Sequence, residues 1–276
     1  MSALQRQKVV IIGCGNVAWH FAKKLQASKK FTLEVYNHRK NEALDDFKKQ
    51  LNCKTIVGLH NISDDAAFYL VCVSDTYISE SARFIKAKNP RALLIHTSGS
   101  AEIKELGQRI HSTGVIYPLQ TFSREMEVNW QEIPLLCESD EQSAGQLTEF
   151  ALLLGDQIVN VEAGERLRIH LAAVFVSNFT NAMYAAAADI LNGSKSAKTG
   201  FTILKPLIEY STEKSLQMGA VQAQTGPAKR NDKVVMKKHL SLLSKERELQ
   251  KIYKTISKLI IRQQKKGYAE FQGKAE

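Results

Sequence analysis

The 276-residue sequence predicts an α/β fold, a doubly wound parallel sheet followed by an all-α domain. An apolar run, a glycine-rich turn and a helical pattern follow one another at residues 8–25. Strand and helix patterns then alternate to about residue 160, which is typical of a parallel sheet with helical crossovers. Beyond Gly164 long helical patterns replace the strand patterns. We therefore predict a sheet domain at residues 1–160 and a helical domain at 161–276.

The first βα unit carries the most specific local signal. Its apolar strand runs into the turn Gly13-Cys14-Gly15-Asn16-Val17-Ala18. Gly13 allows a tight turn, Gly15 leaves room for a pyrophosphate, and Ala18 is small enough for close packing of helix on strand. The free N–H groups at the helix start, near Asn16 and Val17, can hold phosphates. These residues predict a Rossmann-type dinucleotide site, with Gly13, Gly15, Asn16 and Val17 as cofactor-binding residues.

The end of the second strand indicates which dinucleotide is bound. An NAD enzyme usually places an acid about 20 residues past the glycines, on the ribose 2′-hydroxyl. This chain has Asn37, His38 and Arg39 there, and Arg39 can donate two parallel hydrogen bonds to a 2′-phosphate. Glu34 lies mid-strand, too early to reach the ribose. The sequence thus favours NADP, the alternative being that Arg39 is an ordinary solvated charge.

The remaining elements follow from alternating patterns. Further strands are predicted at residues 31–36, 55–57, 66–73, 92–95, 114–117, 133–137 and 157–161. Helices are predicted near residues 42–51, 77–87, 101–111 and 142–154. In the second domain, helical patterns cover residues 164–192, 201–218 and 232–264, with a break in the last near residues 244–247. Most of the strands alternate with helices, which supports the doubly wound arrangement.

Ligands of such sheets bind at the carboxyl ends of the strands. The side chains at these ends are the natural wall of a cofactor and substrate site. We predict cofactor contacts from Val73, Ser74 and Asp75 after one strand and from Thr97, Ser98 and Gly99 after the next. We predict substrate contacts from Ser98, Pro118 and Gln120. The alternative is that the small hydroxyl residues only cap loops.

The helical pattern at residues 164–192 is apolar almost all round, and we expect it to be largely buried. At about 100° per residue, His170, Ser177 and Asn181 fall on one stripe, with Asn178 beside it. Imidazole titrates near neutral pH, so His170 could donate the proton that follows hydride addition. Asn178 or Asn181 would orient the substrate, and Ser177 would contact it. Alternatively, the stripe bonds to neighbouring helices or lies at a dimer interface.

A further substrate contact is predicted before the last long helical region. Arg230 could pair with a carboxylate or phosphate on the substrate. Its neighbours Asn231 and Asp232 suit the N-cap of the helix that begins at Lys233.

The composition and charge of the chain restrict the classes of protein to which it can belong. The net charge of +10 comes largely from lysines at helical spacing, which solvated helix faces explain better than a nucleic-acid site. The four cysteines show no metal-ligand spacing, and they suggest reduced thiols in a cytoplasmic protein. We expect no metal site and no membrane span, since no apolar run approaches about 18 residues.

The chain resembles NADP oxidoreductases of the coenzyme F420-dependent type, which have a helical C-terminal domain of unassigned function. It is also distantly similar to pyrroline-5-carboxylate reductase, ketopantoate reductase and prephenate dehydrogenase. The matching motifs are GCGNVA at 13–18, VYNHR at 35–39, LVCVSD at 70–75, HTSGS at 96–100, YPLQTF at 117–122, HLAAVFVSNFTN at 170–181 and TGPAKRND at 225–232. The resemblance implies a homodimer formed through the helical domains, with NADP across the strand ends. Some of these relatives use a lysine where this chain has His170.

The resulting hypothesis is hydride transfer between NADP(H) and a small carbonyl or imine compound, perhaps one with a carboxylate, in a cleft between the domains. One alternative is a non-catalytic NADP-binding dimer that acts as a sensor or interaction module. Another is an adenosylmethionine-dependent methyltransferase, which also begins with a glycine turn. Arg39 argues against the methyltransferase, because such enzymes prefer an acid after the second strand.

Overall fold

The computed structural model describes residues 6–107, 110, 112–192 and 200–272, with side chains for all of these except residues 192 and 266–272. The chain divides into two compact units, Met1–Asn178 and Phe179–Glu276. The helix that follows residue 160 therefore begins within the first unit. The predicted domain boundary at residues 160 and 161 stays a prediction.

The first unit contains an eight-stranded sheet within the described residues, in the order β3-β2-β1-β4-β5-β6-β7-β8. The strands are β1 Gln7–Ile12, β2 Phe31–Asn37, β3 Lys54–Val57, β4 Phe68–Val71, β5 Leu93–His96, β6 Ser112–Pro118, β7 Leu135–Ser139 and β8 Ile158–Asn160. Only the pairing of β6 with β7 is antiparallel among these strands. An irregular segment, rather than a crossover helix, connects these two strands. The predicted α/β fold with a mainly parallel sheet is confirmed.

Helices pack on both faces of this sheet. In the first unit they are α1 Asn16–Ala27, α2 Glu42–Leu51, α3 Ile78–Ala82, α4 Glu141–Ala151 and α5 Ala163–Val174. Two separate apolar clusters line the sheet, one including Val9, Ile11 and Leu70, the other Val10, Ile12 and Val71. Alternate residues of β1 thus point to opposite faces, as the pleat requires.

Two predicted helices are wrong in extent. The helix expected at 77–87 is limited to α3, because the following N–H groups bond three residues back and tighten the turn. The helix expected at 101–111 is a 3₁₀ turn at Ile103–Leu106, which ends at Gly107 with φ of +71°. Residues 108, 109 and 111 of that prediction lie outside the described residues.

The second unit is helical throughout its described residues. Its helices are α6 Thr180–Asn192, α7 Lys205–Met218, α8 Ala220–Ala223, α9 Lys233–Leu242 and α10 Arg247–Gln272. The gap between α9 and α10 confirms the predicted break. Asp232 caps α9 by accepting from the Val235 N–H at 3.1 Å, so the capping interpretation of this residue is confirmed.

The predicted burial of the helical pattern at 164–192 is wrong for the single chain. A π turn at Phe175–Phe179 joins α5 to α6, and Leu171 and Val176 are 56% and 75% exposed. Periodicity shows which side chains are apolar, but only packing decides whether a partner covers them. Ala163–Leu191 is also long and apolar enough to cross a membrane, contrary to expectation, although length and composition alone are weak evidence. Its Arg166 and His170 instead bond to groups of the sheet unit.

Candidate functional site

The glycine turn has the geometry that a dinucleotide requires. Gly13 has a φ of +106°, and a Cβ at this position would lie 2.2 Å from the Cys72 carbonyl oxygen. At Gly15 a Cβ would meet no atom within 4 Å, so the space in front of it is open. Gly15 also caps α1 without a side-chain hydrogen bond, so its first turn keeps N–H groups for a ligand. This open cradle at a helix start fits a pyrophosphate.

A cleft of about 630 Å³ opens from this turn. It contains most of the predicted cofactor residues, together with neighbours that were not predicted. Its lining includes Gly13, Gly15, Asn37, His38, Arg39, Val73 and Ser74, with Cys14, Leu59 and Tyr77. Arg39 and His38 are exposed at the end of β2, where a 2′-phosphate would lie. The chemistry of this lining fits NADP.

Glu34 is the acidic residue of β2 that could have indicated NAD rather than NADP. Its carboxylate has hydrogen-bond partners within the protein. Its carboxylate accepts hydrogen bonds from Lys54 at 2.8 Å, Ser63 at 2.5 Å and Tyr36 at 2.8 Å. Burial alone would raise the pKa of Glu34, but these hydrogen bonds outweigh it and lower the pKa to about 2. Glu34 is therefore a structural carboxylate, as its mid-strand position indicated.

A loop after β6 braces the glycine turn. Arg124 donates to the Cys14 carbonyl at 2.7 Å and to Asp46 at 2.8 Å. Its guanidinium also lies 4.8 Å from the Trp19 ring centroid. Asn16 bonds to the same loop through its side chain, which donates to the Phe122 carbonyl at 2.9 Å. Asn16 can therefore offer a phosphate its backbone N–H, while its side chain is occupied.

A second cleft, of about 380 Å³, lies at the end of β6 and along α5. Within it the Tyr117 hydroxyl and His170 Nδ1 are 2.9 Å apart, with the two rings edge to face. Burial raises the pKa of Tyr117, so the phenol keeps its proton at neutral pH. Gln120, Ser177 and Asn178 line the same cleft.

Gly99 lies directly against this pair. A Cβ on Gly99 would be 2.6 Å from His170 Nδ1 and 3.0 Å from Tyr117 Cζ, although its backbone conformation does not itself demand glycine. The imidazole thus occupies the space of the missing side chain. The loop after β5 and helix α5 are therefore in close contact here through the side chain of His170.

The Gly99 loop is held by polar contacts on its other side. The Ser98 hydroxyl accepts from the Ser100 and Ala101 N–H groups, so this predicted cofactor and substrate residue also has the expected capping role. His96 Nδ1 accepts from the Ser98 N–H at 3.2 Å. Burial, reinforced by the charge of Arg166, lowers the pKa of His96 to about 4, so its ring is neutral and able to accept.

Several predicted residues are not in either cleft lining. Asp75 accepts from the Ser100 hydroxyl, while Val17 and Thr97 are half-buried beside the ends of β1 and β5. Pro118 is buried in β6. Asn181 and Arg230 belong to the second unit. Their substrate roles stay predictions.

The sequence placed Tyr117 only among the strand-end residues that line the cofactor wall, without a catalytic role, and it gave Arg166 no role. Arg166 is a fully buried cation four residues before His170, which is one helical turn. No local signal marked it, because Glu165 and Arg168 are charged residues of the same stretch of sequence. Among the described residues, no group of three or more histidine, cysteine or acidic side chains could hold a metal.

Two family profiles match the chain. Residues 8–99 match the family described as NADP oxidoreductase, coenzyme F420-dependent, and residues 133–260 match the domain of unknown function DUF2520. No curated protein matches the sequence.

Solved structures extend the similarity over nearly the whole chain. A putative NADP oxidoreductase from Bacteroides fragilis is 32% identical, with a TM-score of 0.86 over 94% of this chain and 100% of that one. An imine reductase from Myxococcus stipitatus, in complex with NADP⁺, is 16% identical, with a TM-score of 0.63 over 94% and 95% of the two chains. Plasmodium falciparum pyrroline carboxylate reductase with NADP bound is 11% identical, with a TM-score of 0.58 over 95% and 100%.

The last two similarities concern the fold alone, whereas the Bacteroides protein is related in sequence along its full length. The glycine cradle and the arginine at the end of β2 agree with that relationship. The chain belongs to the same family of NADP oxidoreductases as the Bacteroides protein, with NADP as its cofactor, a match to the coenzyme F420-dependent profile at residues 8–99 and a DUF2520 domain at residues 133–260.

Proposed function

We propose that the protein transfers a hydride between NADP(H) and a small carbonyl or imine compound. The observation that carries this proposal is the hydrogen-bonded pair of Tyr117 and His170 against Gly99. This pair lies at the sheet edge that also carries the glycine turn. A proton donor beside a dinucleotide site is what reduction of a C=O or C=N bond needs.

The strand order supports this placement. Adjacent strands β2, β1, β4, β5 and β6 end, in that order, near Arg39, Gly13, Val73, Gly99 and Tyr117. A dinucleotide with its 2′-phosphate at Arg39 and its pyrophosphate at Gly13 would extend its nicotinamide toward the ends of β5 and β6. Gly99 and the second cleft lie in that direction.

Bound NADPH supplies the hydride in the reductive direction. In the proposed arrangement the Tyr117 hydroxyl donates its hydrogen bond to His170 Nδ1, in the tautomer that carries the ring proton on Nε2. As charge develops on the oxygen or nitrogen of the substrate, the Nε2 proton moves to it while the phenolic proton of Tyr117 moves to Nδ1, so the imidazole stays neutral and the phenolate is reprotonated from solvent. Asn178 and Gln120, which line the cleft, are suited to orient the polar group.

The second cleft favours a small, uncharged substrate. Its lining combines apolar groups, among them Leu119 and Val174, with the hydroxyls of Thr121 and Ser177, which are 2.8 Å apart. None of its lining residues is a lysine or an arginine. A carboxylate on the substrate would need a cation that is not part of this cleft lining.

We also propose a cytoplasmic homodimer that forms through the helical unit. Exposed apolar side chains are concentrated there, including Leu207, Tyr210, Leu216 and Leu242. A second copy of the chain would cover such surfaces. All four cysteines are buried and free, and burial raises the pKa of Cys72 to about 12, which suits a reducing compartment.

Turnover tests the proposed function. NADPH oxidation is followed with a cyclic imine, the same imine bearing a carboxylate, and a small ketone, with NADH as the comparison cofactor. We expect at least one substrate to be reduced with a preference for NADPH. Saturable NADPH binding without turnover of any of them would favour the non-catalytic NADP-binding protein instead.

Variants of the proton donor test the mechanism. His170→Ala should lower kcat by about 10²–10⁴-fold while NADPH affinity is kept, since general acid catalysis contributes that much. The matched control is His239→Ala, because His239 Nδ1 lies 2.9 Å from the Tyr253 hydroxyl in the same kind of pair within the second unit. Equal turnover in both variants would remove His170 from the mechanism.

A further inference from the structure

Arg166 uses every nitrogen of its guanidinium inside the protein. Nε donates to Glu138 at 3.0 Å, and Nη2 lies 2.9 Å from the same carboxylate. Nη1 donates to the Ser98 carbonyl at 2.8 Å, and Nη2 donates to the Ala101 carbonyl at 2.6 Å. The side chain is 1% exposed. Each of the three guanidinium nitrogens therefore has at least one partner.

These partners connect the two parts of the candidate site. Ser98 and Ala101 flank Gly99 in the loop after β5, and Arg166 stands one turn before His170 on α5. The guanidinium thus joins the loop that carries Gly99 to the helix that carries His170. The two sides of the contact between Gly99 and the imidazole are thus linked by one side chain.

Stability alone does not explain a cation at this position. Removing a guanidinium from water costs several kcal/mol, and an apolar side chain of similar volume often serves a core as well or better. A planar group that bonds two carbonyls of one loop, by contrast, sets the distance and orientation of that loop.

We propose that Arg166 is a positioning residue, which clamps the 98–101 loop to α5 and thereby keeps His170 in its hydrogen bond with Tyr117. This inference rests on the proposed function for its catalytic meaning. The positioning itself can be measured without a substrate.

The test follows the histidine ring signals of the protein by NMR, with ¹³Cε1-labelled histidine and saturating NADP. His170→Gln identifies the signal of His170, and Tyr117→Phe supplies its position when the hydrogen bond is absent. His239, which is paired with Tyr253, serves as an internal reference in every spectrum.

Two variants separate positioning from stability. Arg166→Lys keeps a charge opposite Glu138, but a single ammonium cannot span the carboxylate and both carbonyls. We expect the His170 signal to move at least halfway to its Tyr117→Phe position, with the His239 signal unmoved. Glu138→Gln keeps the guanidinium and its carbonyl bonds, so it should lower the melting temperature while the His170 signal stays in place.

The proposal is overturned if Arg166→Lys leaves the His170 signal in place, or if Glu138→Gln moves it equally far. Should either single variant fail to fold, Arg166→Met combined with Glu138→Gln removes both buried charges together and must give the same displacement. With a substrate that is turned over, Arg166→Lys should lower kcat by about 100-fold, with KM changed less. If Arg166→Lys displaces the His170 signal but no substrate is turned over by the wild type, the positioning role of Arg166 stands and only the proposed reaction is refuted.

Discussion

Three glycines at the candidate site are required for three different physical reasons. Gly13 needs a positive φ and also has the Cys72 carbonyl where a side chain would be. Gly15 has neither constraint in the protein itself, so its freedom serves a ligand. Gly99 leaves room for the imidazole of His170. A motif search finds only the first two, because the third depends on a residue far away in sequence.

Arg39 should decide between the two nicotinamide cofactors. We expect Arg39→Ala to weaken NADPH binding by about 1–3 kcal/mol, the range for a charge-assisted hydrogen bond, and to leave NADH binding nearly unchanged. Calorimetric titration of both cofactors measures this. Lys40→Ala is the control, since Lys40 is a neighbouring cation outside the cleft lining. Equal losses for NADPH and NADH would contradict the phosphate contact.

Replacing the two turn glycines with alanine should affect two different properties, the stability of the fold at Gly13 and the binding of NADPH at Gly15. Gly13→Ala should lower the free energy of unfolding by about 1–3 kcal/mol through backbone strain, with further loss from the clash with Cys72. Gly15→Ala should unfold at the wild-type temperature but bind NADPH at least about tenfold more weakly, a cost of about 1.4 kcal/mol. Thermal unfolding and calorimetry separate the two. Wild-type affinity in Gly15→Ala would argue against a pyrophosphate there.

At the scale of elements, α5 combines properties that rarely occur together. It places Arg166 in the interior and His170 in a cleft, while Leu171 stays exposed. The helical spacing of its residues predicted a polar stripe that begins at His170, and His170, Ser177 and Asn178 do share one cleft lining. Because α5 packs against the end of β6 and the loop after β5, this polar stripe lines a cleft and can form a site.

The stability that ionised Glu34 gives to the strand pair β2 and β3 should be lost at acidic pH. The pKa of Glu34 is about 2 in the folded protein, below its ordinary value of 4.5. Its ionised form therefore contributes stability above about pH 4.5, and this contribution is lost as the pH falls toward 2. Glu34→Gln should melt at a lower temperature at pH 7, and its melting temperature should fall less than that of the wild type between pH 5 and pH 3.

Glu127→Gln is the matched control for that experiment. Glu127 pairs with Lys23 at the exposed surface, where an ion pair contributes little to stability. Its melting temperature should follow the wild type at each pH. If the melting temperature of Glu34→Gln falls with pH in parallel with that of the wild type, ionisation of Glu34 does not account for the loss of stability at acidic pH.

At the scale of the whole molecule, charge is divided unevenly along the chain. Basic and acidic residues are equal in number in residues 1–178, so the net charge of +10 falls on residues 179–276. The same residues carry many of the exposed apolar side chains. The helical unit therefore has both an apolar surface to cover and a basic surface to solvate.

The proposed dimer can be tested by light scattering during size-exclusion chromatography. We expect twice the mass of one chain for the wild type. Leu207→Lys combined with Leu216→Lys places two charges on the exposed apolar surface of α7 and should give the monomer. Leu152→Lys alters another exposed leucine, in the first unit, and should remain dimeric. A wild-type monomer, or a dimer that survives both α7 changes, would contradict the proposed interface.

The sequence by itself determined the fold class, the glycine turn and the choice of NADP. Each of these is a local property: a period of side chains, a turn that needs glycine, a basic residue at the end of the next strand. Tertiary structure alone decided that Tyr117 meets His170 across 53 residues and that Arg166 binds the Ser98 carbonyl across 68. It also decided that the apolar helix is exposed in the single chain. Such contacts depend on how strands and helices align in space, which the local pattern of side chains does not encode.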